Sequence, residues 1–212
     1  MPSRLLNRRG VYLITPDMAD TGQLEALCTM LLQHPVALLQ YRNKSADTVL
    51  KRRQGEVLLT ACRSAGVPLL INDDWRLAAE LGADGVHLGR DDAEPGMVRE
   101  ALGNQALIGV SCYNEISRAR AAAALDIDYF AFGAVFPSPT KPSAVQAPLS
   151  LFADARALGK ATVAIGGIRP DNSAQLRDAG ADFIAVISGV FDAPDPVAAL
   201  IAYNHSFSKG TP

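Results

Sequence analysis

The sequence predicts an α/β fold, a single-domain (β/α)8 or TIM barrel over residues 1–212. Three observations point there. Eight short apolar runs recur along the chain, with helix-like segments between them. The runs lack strict polar alternation, as expected of parallel strands buried on both faces. Polar and ionisable residues gather at the C-terminal ends of the runs, where barrel enzymes place their sites. An open doubly wound sheet is the competing architecture. The early G-x-G-x-x-G turn of its dinucleotide-binding form is missing.

The elements follow in order. The predicted strands are GVYLITP (10–16), VALLQYR (36–42), PLLIND (68–73) and GVHLG (85–89), then ALIGVSC (106–112), YFAFGAVF (129–136), TVAIGG (162–167) and FIAVISG (183–189). Among the intervening helices, TGQLEALCTMLLQ opens on Thr21 as a cap candidate. ADTVLKRRQGEVLLTACRSAG stops at Gly66, NEISRARAAAALD opens on Asn114, and DNSAQLRDAG follows Pro170 and ends on Gly180. A β-α alternation of this kind calls for a parallel sheet with helical crossovers. No linker or charge block divides the chain, and no sequence repeat stands out.

Composition narrows the function classes. Half the residues are apolar, a fifth are charged, and the net charge is −2. No global field favours nucleic acid or an anionic membrane, so any anion must be caught by a local cluster. Cys28, Cys62 and Cys112 are scattered without a C-x-x-C motif, which gives neither a disulfide frame nor a zinc site and predicts a reducing, cytoplasmic setting. The start MPSRLLNRRG does not read as a signal peptide, and no apolar segment is long enough to span a membrane.

The chemistry lies at the strand ends. The second run ends with Gln40, Arg42 and Lys44, and Gln40 and Arg42 share parity. The third ends with Asn72, Asp73 and Asp74, and the fourth with Arg90, Asp91 and Asp92. The fifth ends at Ser111, the sixth at the stiff loop PSPTKP, the seventh at Gly166-Gly167, and the eighth at Ser188-Gly189. The strand starts (Gly10, Val36, Pro68, Gly85) carry almost nothing ionisable. One carboxylate from each acidic pair could hold a hard cation such as Mg²⁺, the other capping the next helix, and spacing does not decide which. Arg42, Lys44 and Lys141 supply cations suited to phosphate. Glycines at the seventh and eighth strand ends suit a second phosphate. His87 is expected to pack or hydrogen-bond inside the barrel rather than act as a base. Cys112 reads as a buried thiol and Trp75 as a packed residue opening a helix.

These residues, in this order, resemble a known family. QYRNK, INDD, GADGVHLGRDD, GVSCYN, DYFAFGAVFPSPTKP, VAIGGI and AGADFIAVISGV are similar to the motifs of thiamine phosphate synthases, over nearly the whole chain. The resemblance implies a (β/α)8 transferase that joins hydroxymethylpyrimidine diphosphate to a thiazole phosphate, releasing diphosphate. By matching positions, Gln40, Arg42, Lys44 and Asn72 would bind the pyrimidine diphosphate, Asp73 and Asp92 would hold Mg²⁺, and Ser111 and Lys141 would contact the diphosphate. Arg42 and Lys141 would be the catalytic cations. Ser138 and Thr140 would hold the thiazole phosphate, aided by Gly167, Ile187 and Ser188. The implied mechanism is dissociative: diphosphate leaves first, and the thiazole nitrogen attacks a pyrimidine-methyl cation. The implied partners are small phosphorylated molecules, with no nucleic acid or membrane; the sequence leaves the oligomeric state open.

Four positions depart from the family's usual residues. Tyr41 stands where Leu is common, Ser138 for Thr, Arg90 for Gln, and Tyr113 for His. The alternatives are a thiazole tautomerase of similar sequence, which uses a His near position 113, and a barrel that binds phosphorylated ligands without turnover. Tyr113 and the intact PSPTK loop favour the synthase over the first, and the complete acidic and basic set favours it over the second.

Overall fold

A computed structural model of the protein describes residues 4–5, 8–137 and 145–208. Eight parallel strands close into a barrel in sequence order. They are β1 (Gly10–Ile14), β2 (Leu38–Tyr41), β3 (Leu69–Asn72), β4 (Gly85–Leu88), β5 (Leu107–Tyr113), β6 (Tyr129–Gly133), β7 (Ala161–Ile165) and β8 (Phe183–Val186). All eight predicted runs are strands, and closure rules out the open sheet. The connecting helices are α1 (Thr21–Leu31), α2 (Thr48–Ala65), α3 (Trp75–Leu81), α4 (Pro95–Leu102), α5 (Ile116–Ala123), α6 (Ser150–Arg156) and α7 (Pro170–Asp178). The short α8 (Ser188–Phe191) and then α9 (Pro196–Ser208) follow β8. No described helix is long and apolar enough to cross a membrane.

The period of two along each strand divides the core. Val11, Leu13, Leu39, Ile71, Val86, Ile108, Phe130, Phe132 and Ile184 face the helices in one large buried cluster. Tyr12, Ile14, Leu38, Leu70, Leu107, Tyr129, Val163 and Phe183 fill the barrel interior with Leu5. Gln40, Asn72, His87, Ser111 and Ile187 continue the inward parity toward the C-terminal mouth. Tyr41 has the opposite parity, is buried, and donates its hydroxyl to Gln54 Oε1 of α2 at 2.9 Å. Its departure from the family's Leu is therefore a matter of strand–helix packing.

Two expected caps move. Asp20, not Thr21, caps α1 by accepting from Gln23 N, and α5 starts after Glu115 with no side-chain cap bond, so Asn114 lies one residue too early. Gly66 does end α2, in the left-handed region at φ 67°.

The barrel floor is more ionic than the strand starts suggested. Asp84, Asp128 and Asp182 each immediately precede an even-numbered strand. Each carboxylate accepts from a backbone N–H at the start of the preceding strand: Leu69 at 2.8 Å, Ile108 at 2.9 Å and Thr162 at 2.9 Å. Arg4 and Arg99 both bond Asp128, at 2.9 and 3.2 Å. Arg9 pairs with Asp182 at 3.3 Å. These carboxylates lie just outside the apolar runs and pin strand register at the end away from the mouth.

Candidate active site

A buried polar chain crosses the upper barrel. Gln40 Nε2 donates to Tyr12 Oη at 2.6 Å, and Tyr12 and Tyr129 share a hydroxyl hydrogen bond at 2.9 Å. His87 Nδ1 lies 2.9 Å from Tyr129 Oη, and its Nε2 lies 2.9 Å from Ser111 Oγ. Burial holds His87 down to about 4, so the ring is neutral at neutral pH. One ordering satisfies every link. Tyr12 passes its proton toward Tyr129, Tyr129 toward Nδ1, and Nε2–H toward Ser111, which leaves the serine hydroxyl free to donate into the mouth. The His87 expectation holds. Tyr12 and Tyr129 escaped sequence reasoning. Gly109 makes room for the second, since a Cβ there would overlap the Tyr129 ring.

The loops after β1 and β2 brace each other. Thr15 Oγ1 bonds both the N–H and the carbonyl of Arg42 at 2.9 Å. Asp17 accepts from the Arg42 guanidinium at 3.1 Å and from Lys44 N at 2.8 Å. Asn43 is buried and donates to Met18 O at 2.8 Å and to Gln54 Oε1 at 3.0 Å. Arg42 is thereby held half-buried, while Lys44 reaches out to within 3.9 Å of Asp73 Oδ2. Thr15, Asp17, Asn43 and Gln54 were not singled out in the sequence; only their contacts reveal them.

The acidic pairs resolve unequally. Asp74 caps α3 by accepting from Leu77 N at 3.0 Å, as one reading of the spacing required. Asp73 sits in the left-handed region at φ 64° and donates its N–H to His87 O at 2.8 Å. Its carboxyl is pushed up to about 6, first by burial and then by the carboxylate of Asp92, with Lys44 opposing. In the second pair neither aspartate caps α4, whose N-cap position is Glu94. Asp92 Oδ2 instead accepts from Gly89 N at 2.6 Å, closing its own loop. The cap half of the expected split, one aspartate on the metal and one capping the next helix, thus holds for the first pair only. Among the described residues no cluster of three or more His, Cys, Asp or Glu could hold a metal by itself.

On the far side, Gly166 and Gly167 turn the chain at φ 100° and 66°. A Cβ on Gly167 would come within 2.5 Å of the carbonyl oxygens of Phe136 and Pro137, so this glycine lets the loop after β6 lie against β7. Ile187 precedes α8, and the exposed Ser188 opens it. Ser138, Thr140 and Lys141 lie outside the described residues. At the rim, β5 bulges between Ser111 and Tyr113, and Tyr113 turns outward at φ 54°. The guanidiniums of Arg90, at 4.8 Å, and Arg118, at 5.5 Å, both lie over its ring, and Arg90 also pairs with Glu115 at 3.1 Å. Two departures from the family pattern, at 90 and 113, are therefore one contact. Cys112 is buried, with its thiol pushed up to about 12 by burial.

Residues 11–190 match the family model described as thiamine monophosphate synthase. A thiamine-phosphate synthase of Xanthomonas campestris pv. campestris is 56% identical over 99% of this chain and 100% of its own length. One from Azoarcus sp. is 55% identical over 94% of this chain and 98% of its own. Among solved structures, a thiamine phosphate pyrophosphorylase from Pyrococcus furiosus superimposes with a TM-score of 0.84 at 28% identity, covering 97% of this chain and 98% of that one.

Proposed function

The chain belongs to the thiamine monophosphate synthase family, and from that premise we propose that it condenses hydroxymethylpyrimidine diphosphate with a thiazole phosphate, giving thiamine phosphate and diphosphate. One observation carries the reading. At a single end of the barrel, the neighbouring carboxylates of Asp73 and Asp92 adjoin Lys44, with Arg42 on the same β2 loop, beside the inward row Gln40, Asn72 and Ser111. This is the donor set that a metal-bound diphosphate on a heteroaromatic ring demands.

The residues divide the work. Gln40, its amide nitrogen tied to Tyr12, keeps Oε1 for the pyrimidine's amine, with Asn72 beside it. Arg42 and Lys44 meet the diphosphate from the second strand end, and Ser111 donates its hydroxyl from the fifth. Gly167, Ile187 and Ser188, at a glycine turn and the short helix after β8, would receive the thiazole phosphate. Ser138 and Thr140 for the thiazole phosphate, and Lys141 for the leaving diphosphate, are proposed from the family motif alone, since they lie outside the described residues.

Asp73 and Asp92 would hold Mg²⁺. The fit is chemical: two oxygen-donor carboxylates meet where burial first, and the neighbouring Asp92 second, push the Asp73 carboxyl up, and substrate phosphates would complete the shell. When bound, the ion would neutralise charge on the departing diphosphate. The side chains do the rest by fixing the leaving group, excluding water and holding the thiazole nitrogen in line for the pyrimidine-methyl cation. No general base is needed for this reaction. A tautomerase would need one near position 113, where two guanidiniums instead lie over the Tyr113 ring. Three buried free thiols support a reducing, cytoplasmic setting.

The test is to incubate the purified protein with both phosphorylated halves, with Mg²⁺ or with a chelator. Thiamine phosphate forms only with metal. Absence of product with metal present rejects the synthase reading, and rearranged thiazole alone supports the tautomerase.

A further inference from the structure

Two cavities flank the turn at Asp73 and Asp74. The larger, about 550 Å³, is walled by Lys51, Trp75 and Arg76 besides the two aspartates. The smaller, about 70 Å³, is walled by Lys44, Lys51 and Asn72 besides the same two. Lys51 thus stands in both walls. The other charged side chains of these walls are engaged. Asp73 meets Lys44 at 3.9 Å, Asp74 caps α3, Glu80 pairs with Arg52, and Arg76 lies 4.6 Å over the Trp75 ring. Lys51 is half-buried, and its ammonium has no hydrogen bond, ion pair or ring contact among the described residues.

The helix does not account for Lys51 either. It lies one turn into α2, where the helix dipole disfavours a cation, and the only acid at that end, Asp47, is engaged as the N-cap, accepting from Leu50 N at 2.8 Å. A half-buried lysine that lines both cavities and has no partner for its ammonium among the described residues is explained by an anion that is not part of the chain. The site already supplies the motive for one. Arg42 is committed to Asp17 and Lys44 to Asp73, so two cations expected to meet the diphosphate are partly offset by carboxylates before it arrives.

We propose that Lys51 is a further diphosphate-binding residue, reaching the phosphate remote from the pyrimidine through the wall shared by the two cavities. The inference rests on the synthase reading above. It assigns α2, beyond the Gln-x-Arg-x-Lys segment, a direct part in gripping the leaving group.

The experiment titrates inorganic diphosphate with Mg²⁺ into the full-length protein by calorimetry, with turnover measured on the same samples. Lys51→Ala and Lys51→Gln weaken diphosphate binding about tenfold, the scale of one charge-assisted contact. Lys51→Arg restores most of it. Both neutral variants raise KM for the pyrimidine diphosphate and leave KM for the thiazole phosphate unchanged. Lys51→Gln, which keeps most of the aliphatic stem, controls for any packing defect in Lys51→Ala. Arg53→Ala, which removes an exposed charge from the same helix, changes neither binding nor turnover. Wild-type-like diphosphate binding in both neutral variants overturns the proposal while leaving the synthase reading standing. Wild-type protein that neither binds diphosphate nor forms product overturns both.

Discussion

At Asp73 both backbone and carboxyl are held away from their resting preferences, at φ 64° and with the acid raised from 3.8 to about 6. The sign of the linkage follows. Below pH 3.8 the carboxyl is protonated in the folded and unfolded chains alike, and the raised value costs nothing. As pH rises from there to about 6, the unfolded chain ionises first, so the metal-free folded state loses stability across that window and keeps the deficit above it. Asp73→Asn removes the titration and suits the left-handed backbone. Metal-free Asp73→Asn should therefore melt above wild type at pH 8, with the gap narrowing toward pH 4, and it should lose the thermal shift caused by Mg²⁺. A gap independent of pH, or an unchanged Mg²⁺ response, would reject the neighbouring-carboxylate account. Ser111 offers a second residue-level check. Tyr129→Phe cuts the chain behind it and leaves His87 Nδ1 unpaired, at a cost of about 1–3 kcal/mol in stability. Turnover should fall in Tyr129→Phe and in Ser111→Ala, and the double variant should be no slower than Ser111→Ala. Additive losses would mean that Tyr129 does not act through Ser111.

Among the elements, strands β4, β6 and β8 share one device, an aspartate just before the strand that bonds the start of the preceding one. Asp128 is the most enclosed, fully buried between Arg4 and Arg99. Removing one member of a buried pair strands the other charges. Asp128→Asn should cost about 3–5 kcal/mol of stability while kcat/KM per folded molecule stays at the wild-type value. A loss of kcat/KM without a loss of stability would place Asp128 in the chemistry instead. At the opposite end, the loop after β4 and the bulged end of β5 meet through Arg90 and Tyr113. A double-mutant cycle of Arg90→Gln and Tyr113→His should show a coupling of about 0.5–1 kcal/mol, the worth of an exposed cation–π contact. Zero coupling would make the two departures independent.

Over the whole molecule, what the sequence disclosed followed from chemistry that is local along the chain. Fully buried parallel strands read as apolar runs, so all eight were found. The polar residues at their C-terminal ends, Gln40, Arg42, Lys44, Asn72, Asp73, Asp74 and Ser111, were legible as mouth residues because a barrel gathers strand ends at one mouth. What stayed hidden depends on contacts distant in sequence. Tyr12 and Tyr129 are 117 positions apart, and each looks like an ordinary core aromatic until the barrel closes. Lys51 reads as one more charge in a basic stretch until the cavities place it beside Asp73. The caps slipped by one residue because the φ/ψ change at a helix start, not the side chain's propensity alone, decides which residue bonds back.

As proposed, this mouth releases one diphosphate for each thiamine phosphate it builds. Phosphorus NMR of the protein with Mg²⁺ and both substrates tests it directly, by following diphosphate and thiamine phosphate together. The two signals should grow in equal amounts, neither should grow when the thiazole phosphate is withheld, and a chelator should stop both. Diphosphate appearing without thiamine phosphate, or no turnover of either substrate, would contradict it.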